Sequence, residues 1–148
     1  MVANTAKIEA PTRSPAEATQ HPHQIEKQVG YLLRRADQRA SALFRNIIGD
    51  ADISQTQYAS LVKLREYNEL SQNHLGRLVG MDKAAIQGVL RRLKERRLVD
   101  SRSHPGDARS VLVRLTAEGH KLIWRLMIND PAVSREGLKP LSAWEQRR

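Results

Sequence analysis

Apolar residues recur every three or four positions along much of this chain, the spacing that places side chains on one face of an α-helix. The longest stripe runs without proline from Gln24 to Ile48 and predicts a long amphipathic helix. Its members are Ile25, Val29, Leu32, Ala36, Ala40, Leu43 and Ile47. A small domain offers such a helix little surface to cover. We therefore expect a second subunit to bury this face, and the alternative is a monomer whose long helix folds back on its own domain.

Three shorter helices are predicted after it, because the same start signal occurs three times. A polar residue that can cap the first turn is flanked by apolar residues one position before and four positions after it. The three sets are Ile53, Ser54 and Tyr58; Leu70, Ser71 and Leu75; and Met81, Asp82 and Ile86. The short break at Val79 and Gly80 makes the second and third helices a helix-turn-helix, which one leading helix precedes.

The third of these helices has two unlike faces. Ile86, Val89, Leu90 and Leu93 form an apolar stripe that must face a core. The opposite face carries Ala84, Gln87, Gly88 and Arg91, which are small or polar. There Gln87 can pair with an adenine edge and Arg91 with guanine or phosphate. The alternative is an ordinary solvated helix face.

Two short strands are predicted next, at residues 98–102 and 110–115. Val111, Val113 and Leu115 alternate with Leu112 and Arg114 in the second strand, and His104, Pro105, Gly106 and Asp107 supply turn chemistry between the two. We interpret this hairpin as a wing. Asp107 can orient Arg109 toward a narrow, electronegative minor groove, and the alternative is an ion pair that only stabilises the turn.

These segments together resemble the MarR family of winged-helix transcription regulators. The similarity lies in ISQTQYASLVKL, in LSQNHLGRLVGMDKAAIQGVLRRLKERRLV and in DARSVLVRLT, whose Asp107, Arg109, Leu115 and Thr116 match the wing signature. The resemblance implies a mainly α fold with a small β-hairpin wing. It also implies a homodimer that binds a pseudo-palindromic operator in double-stranded DNA, usually as a repressor. A small molecule is then expected to release this dimer from the operator by occupying a pocket between the dimerisation and DNA-binding parts.

The expected organisation is a mobile arm at residues 1–22 followed by a single domain at residues 23–148. Within that domain, residues 24–48 and 117–148 are expected to dimerise, the latter through Leu122, Ile123, Leu126 and Met127, and residues 53–116 to form the winged helix-turn-helix. Ser142 and Glu145 predict a last helix start, yet three residues follow, so either the chain is shortened or its dimer rests on the earlier helices. Pro131 is expected to kink or end the helix after Thr116.

Charge agrees with a DNA partner. The 25 Lys and Arg residues exceed the 16 Asp and Glu residues and give a formal net charge of +9, which favours counterion release from DNA. The predicted DNA contacts are Ser71, Gln72, Asn73, Arg77, Lys83, Ala84, Gln87, Gly88, Arg91, Arg92, Arg102, His104, Asp107 and Arg109. A membrane surface is a poorer partner, because no free apolar face remains once the core is assigned. Without a long apolar run or a signal peptide, the chain is expected to be cytoplasmic.

The segment SQNHLGRLVGMDKAAIQGV is similar to the MarR branch that controls the breakdown of nicotinate and related aromatic acids. Such an effector needs a cation and flat apolar walls. The candidates are Tyr31, Arg35, Arg39, Tyr58 and Trp124. For each of them the alternative is ordinary surface or core packing.

Enzymatic readings have little support, and no cofactor is expected. The chain has no cysteine, and no glycine-rich phosphate loop is present. The five histidines lack a metal-ligand spacing, so no metal site is expected, although His21 and His23 flank a proline in the arm. The remaining alternative function is a non-specific or architectural DNA-binding protein without an effector.

Overall fold

A computed structural model describes residues 24–147, apart from the side chains of His104, residues 107–110 and Arg147. The chain divides into two units at the boundary between residues 35 and 36. The predicted N-terminal arm, with His21 and His23, lies outside the described residues. Within the described range, no helix is both long enough and apolar enough to cross a membrane.

Helices account for most of the described chain, and three strands form one small antiparallel sheet. The elements are α1 (Val29–Ile47), α2 (Gln55–Tyr67), β1 (Glu69–Ser71), α3 (Gln72–Leu78), α4 (Lys83–Glu95), β2 (Val99–His104), β3 (Asp107–Leu115), α5 (Ala117–Met127) and α6 (Asp130–Leu138). Single 3-10 turns lie at Ile25–Lys27 and Glu145–Arg147. The strand order is β1-β3-β2. The prediction of a mainly α fold with a small β-hairpin wing is confirmed.

All three predicted helix starts are present as capping hydrogen bonds. The Ser54 hydroxyl accepts from the Gln57 N–H at 3.2 Å, and the Gln57 side chain accepts from the Ser54 N–H at 2.8 Å, which completes a capping box. The Ser71 hydroxyl and the Asp82 carboxylate cap α3 and α4 in the same way, at 3.3 and 2.7 Å. Each cap satisfies a backbone donor that the helix itself leaves unpaired, so the helix begins where the local sequence places it.

The wing is longer than the sequence predicts. The strands extend to His104 and begin again at Asp107, so only Pro105 and Gly106 lie between them. The strand β1 is not predicted by the pattern, and it pairs with β3 so that Leu70 lies opposite Val113. Three residues are too few to show the alternation of a strand, and pairing with β3 depends on residues more than forty positions away.

The core of the 36–148 unit contains residues that the sequence assigned to a dimer interface. Leu122, Ile123 and Leu126 of α5 are almost fully buried in the same subunit. The expectation that a second subunit buries them is therefore wrong, because α5 packs along α2 and β3 and turns this face inward. The core takes Phe44 from α1 and Ile48 from the turn after it, whereas the predicted stripe members Ala40, Leu43 and Ile47 are half-buried.

The C-terminal segment forms a separate short helix. The helix α5 ends at Met127, and Pro131 lies in the first turn of α6. Proline fits there because the N–H groups of the first turn make no hydrogen bond within the helix. The predicted capping box is present, since the Ser142 N–H donates to Glu145 Oε2 at 2.8 Å and the Glu145 N–H donates back to the Ser142 hydroxyl at 3.4 Å. A single 3-10 turn follows.

Candidate nucleic-acid interface

The helix α4 presents a polar face outward from a firmly packed base. Its stripe of Ile86, Val89, Leu90 and Leu93 is at most 3% exposed, as the periodicity predicts. Lys83, Ala84, Gln87, Arg91 and Arg92 on the remaining surface are all exposed. Packing of four apolar side chains holds the helix in one orientation, so the outward groups can read a groove without a change in the fold.

Two glycines lie in α4 and in the turn before it. Gly88 is half-buried, and a Cβ added there would meet only Arg92 Nη1, at 3.7 Å. The turn that leads into α4 contains Gly80 with a φ of 69°, a left-handed conformation that glycine adopts without strain. Any other residue at position 80 would therefore strain the turn between α3 and α4.

The helix α3 contributes exposed Asn73 and Arg77 beside half-buried Gln72. Ser71, another predicted DNA contact, uses its hydroxyl to cap α3 by accepting from the His74 N–H. The structure thus assigns Ser71 a structural task, and a contact of Ser71 with DNA stays a prediction.

Arg91 makes a weak pair within its own helix. Its Nη1 lies 3.0 Å from Glu95 Oε1, with both side chains more than half exposed. An exposed pair of this kind contributes about 0.3–0.5 kcal/mol. A phosphate or a guanine edge can therefore replace Glu95 at little energetic cost, which keeps Arg91 available as a DNA contact.

Arg102 differs from the other predicted contacts, because it is tied down within the sheet. Its Nε and Nη2 donate to the two carboxylate oxygens of Glu69 at 2.8 and 2.7 Å, across the intervening strand β3. Hydrogen bonding to Glu69 raises the pKa of Arg102. Sequence reasoning treated Arg102 as an open guanidinium because it did not predict β1, which brings Glu69 there. Any contact of Arg102 with DNA must compete with this bidentate pair.

Three further predicted DNA contacts lie at the tip of the wing. The backbones of His104, Asp107 and Arg109 belong to β2 and β3. Their side chains lie outside the part of the chain that the structure describes. The proposed orientation of Arg109 by Asp107 and its insertion into the minor groove stay predictions.

A cavity of about 460 Å³ adjoins the helix-turn-helix, and we call it the Tyr58 cavity. It is lined by Phe44, Gln55, Tyr58, Ala59, Val62, Lys63, Leu78, Val79, Asp130, Val133 and Ser134. The Phe44 and Tyr58 rings lie 5.3 Å apart at an angle of 56°, which gives the cavity an aromatic wall. Burial, together with the charge and hydrogen bond of Asp130, raises the pKa of Tyr58 to about 12. Asp130 therefore lies near enough to the Tyr58 hydroxyl to oppose its ionisation.

Only Tyr58 of the predicted effector residues lines this cavity. Trp124 is 64% exposed and stacks under the Arg65 guanidinium at 4.9 Å, because the core positions of α5 are filled by leucine and isoleucine. Arg39 is exposed on α1, whose core contacts come from Phe44. The structure does not bring Trp124 or Arg39 to the cavity.

The two candidates in the first unit form a different contact from the expected one. The Tyr31 ring lies 5.3 Å from the guanidinium of Arg34, which is the residue before the predicted Arg35. Arg35 itself is exposed. The i, i+3 spacing of Tyr31 and Arg34 on a helix explains this pairing.

Sequence reasoning missed Lys63 and Asp130, the charged residues of the lining. They come from α2 and α6, which are far apart along the chain, so no local pattern joins them. One signal was available for α6. An acidic residue followed by proline, as in Asp130 and Pro131, is typical of a helix N-terminus and would have indicated a new helix there.

Known proteins resemble this chain over most of its length. The sequence profile of the MarR family matches residues 53–111. The chain is 34% identical over 141 residues to the HTH-type transcriptional repressor NicR of Pseudomonas putida, an alignment that covers 95% of this chain and 88% of NicR. A probable transcriptional regulator from Pseudomonas aeruginosa has a similar crystal structure, with a TM-score of 0.78, 40% identity and coverage of 84% of this chain and 92% of that one.

A third relative is Bordetella bronchiseptica BpsR, whose DNA binding is regulated by 6-hydroxynicotinic acid. Its structure matches with a TM-score of 0.77 and 32% identity, over 86% of this chain and 90% of BpsR. The helix-turn-helix, the wing and these similarities lead to one conclusion. This protein belongs to the MarR family and is a transcriptional regulator, not an enzyme.

Proposed function

We propose that this protein is a homodimeric repressor that binds a pseudo-palindromic operator in double-stranded DNA and leaves it when a small aromatic acid, similar to nicotinate, occupies the Tyr58 cavity. The observation that carries DNA binding is the outward face of α4, where Lys83, Gln87 and Arg91 are exposed above a buried apolar stripe. The net charge of +9 adds electrostatic attraction to phosphates. The amide of Gln87 supplies the donor and acceptor pair that an adenine edge requires.

Dimerisation has its support in apolar side chains that stay exposed. In the first unit, Ile25, Val29 and Leu32 are between 48% and 73% exposed. In the second unit, Trp124 and Ile128 are 64% and 70% exposed. A second copy would bury such groups, and a two-fold dimer fits an operator with two half-sites. The proposed dimerisation segments are still residues 24–48 and 117–148, without the three residues of α5 that the core already holds.

The effector class has its support in the relatives and in the cavity. NicR is a repressor, and BpsR responds to 6-hydroxynicotinic acid. A volume of about 460 Å³ with an aromatic wall is of the size that small ligands occupy. The cation that we expected from Arg35 or Arg39 is instead available from Lys63, which lines the cavity.

The test is fluorescence anisotropy of the full chain against the promoter region beside its own gene and against scrambled DNA of equal length, across a salt series. A repressor should prefer the promoter by about 10³-fold or more. Addition of 6-hydroxynicotinate should then lower the anisotropy of the specific complex. Equal affinity for both DNAs with the same salt slope would point to an architectural DNA-binding protein instead.

Two matched variants test whether α4 forms the interface. Arg91→Ala and Lys121→Ala each remove one exposed cation that pairs with a glutamate at 3.0 Å in its own helix. We expect Arg91→Ala to weaken operator binding and to lower the salt slope by about one for each phosphate that Arg91 neutralises. Lys121→Ala on α5 should leave both the affinity and the slope unchanged. Equal effects of the two variants would mean that net charge, and not the α4 face, determines binding.

A further inference from the structure

The ion pair between Arg102 and Glu69 lies where the wing meets the helix-turn-helix. Arg102 is two residues before His104, where β2 ends, and Glu69 is two residues before Ser71, the cap of α3. We propose that Glu69 takes the place of a DNA phosphate on Arg102 and so limits the affinity of the protein for DNA of any sequence. The inference rests on the proposed function and adds to it a residue that sets the strength of DNA binding.

Both side chains lie on the outer face of the sheet. Leu70 is 5% exposed and lies opposite fully buried Val113, so the preceding residue, Glu69, is on the other face of its strand. Arg102 lies opposite Leu112, the neighbour of Val113, and is therefore on that outer face as well. The strand register, which the buried face determines, brings the carboxylate and the guanidinium together across β3.

The contact has the geometry with which arginine binds phosphate. Nε and Nη2 of Arg102 donate to Oε1 and Oε2 of Glu69 at 2.8 and 2.7 Å, a two-point contact between planar groups. The Glu69 side chain is 25% exposed, whereas both side chains of the Arg91–Glu95 pair on α4 are more than half exposed. Water and salt therefore screen the Glu69 contact less. A phosphate can use the same two donors only by displacing Glu69.

The pair lowers the number of cations that are available to DNA. Each cation that neutralises a phosphate contributes about −0.9 to the slope of log affinity against log salt concentration. While Arg102 stays on Glu69, its charge is already balanced and adds little to that slope. Arg114, on the same face, is held more loosely, since its Nη2 lies 3.6 Å from Asp100 Oδ2. Of these two arginines, Arg102 is the one that its partner withholds from DNA.

Fluorescence anisotropy with scrambled DNA across a salt series tests the inference, because phosphates are the same in every sequence. The full chain with Glu69→Gln should bind scrambled DNA about fivefold more tightly near 0.15 M salt, with a slope steeper by about 0.9 for each Arg102 that gains a phosphate. Affinity for the promoter region should rise by a similar factor. The matched control is Glu118→Gln on α5, which also raises the net charge by one and releases Lys121 from a contact of 3.0 Å. It should leave both the affinity and the slope unchanged.

Variants of Arg102 assign the gain to this side chain. Arg102→Ala should remove the gain of Glu69→Gln, and it should weaken binding more in that background than in the wild-type protein. Arg102→Lys keeps the charge and loses the two-point contact, so its slope should lie between those of the wild type and Glu69→Gln although the net charge is unchanged. An equal effect of Arg102→Ala in the two backgrounds would overturn the inference.

The remaining outcomes are also decisive. Equal gains from Glu69→Gln and Glu118→Gln would assign the effect to net charge and overturn the inference, and a gain confined to the promoter would overturn the assignment to phosphate. Wild-type protein without preference for the promoter would overturn the proposed repressor, whereas the variants on scrambled DNA would still decide the role of Glu69. If the urea midpoint of Glu69→Gln shows a loss of fold, Arg102→Lys, which retains Glu69, decides the question, and a wild-type slope in it overturns the inference.

Discussion

Asp50 joins three helices through one carboxylate, which makes Asp50→Ala a sharp test of the packing described above. The residue lies in the turn after α1, and its Oδ2 is 3.1 Å from Arg96 Nη2 at the end of α4 and 3.7 Å from Arg125 Nη2 on α5. Its Oδ1 also accepts the Asp52 N–H at 3.0 Å. The side chain is only 12% exposed. Its removal leaves the Arg96 guanidinium without this acceptor at the C-terminal end of α4.

The magnitude follows from the burial of Arg96. Its side chain is one-third exposed, and its Nη1 is buried without a hydrogen-bond partner among the described residues. The contact between Nη2 and Asp50 therefore offsets most of the cost of removing the guanidinium from water. Removal of one partner costs about 3–5 kcal/mol for a fully buried pair and under about 1 kcal/mol for an exposed pair. We expect a destabilisation of about 2 kcal/mol, which lowers Tm by roughly 4–8 °C in a chain of this size. Arg125, at 67% exposure, adds little.

Urea unfolding followed by circular dichroism measures the change, at one protein concentration because a dimer's stability depends on concentration. Asp100→Ala is the control, since Asp100 pairs with Arg114 at 3.6 Å with both side chains more than half exposed. That variant should be destabilised by less than about 1 kcal/mol. Equal destabilisation of the two variants, or an unchanged midpoint for Asp50→Ala, would refute the argument from burial.

Four other substitutions each probe one interaction. Gln87→Ala should relax base preference at one position of each half-site in a binding-site selection, and an equal weakening on every sequence would reassign Gln87 to the DNA backbone. Asp82→Ala removes the cap of α4 and should lower the free energy of unfolding by about 1 kcal/mol with an unchanged urea m-value. Gly119→Ala places a Cβ in steric overlap with the Leu98 carbonyl oxygen and should lower Tm strongly, so a wild-type Tm would contradict that packing. The fold raises the pKa of Tyr58 from 10.0 to about 12, so its protonated hydroxyl stabilises the fold fully below about pH 10, and this stabilisation is lost as the pH rises toward 12. In Tyr58→Phe, the free energy of unfolding should not show this loss between about pH 10 and pH 12.

Local signals account for what was predicted well. The caps at Ser54, Ser71 and Asp82 act within three residues of themselves, so the helix starts could be assigned from the sequence. The buried stripe of α4 was correct for the same reason, since the helical period determines which residues share a face. The same period predicts which side chains of α4 point outward.

Contacts between distant segments account for what was missed. The strand β1 exists because β3 pairs with it, and that pairing also turns Arg102 toward Glu69. Two predicted effector residues, Arg39 and Trp124, do not line the Tyr58 cavity, whereas Lys63 and Asp130 do. A hydrophobic period shows that a face is buried, but it does not show which surface buries it.

The sequence by itself determined the helix starts, the outward face of α4, the wing and the family, because each depends on neighbours along the chain or on a contiguous motif. Only the tertiary structure decided that the apolar face of α5 packs into the core of its own subunit, that Arg102 pairs with Glu69, and that Asp130 and Lys63 line the same cavity. The physical reason is that side-chain burial and charge pairing depend on distances in space. Those distances are established when elements far apart in sequence pack together.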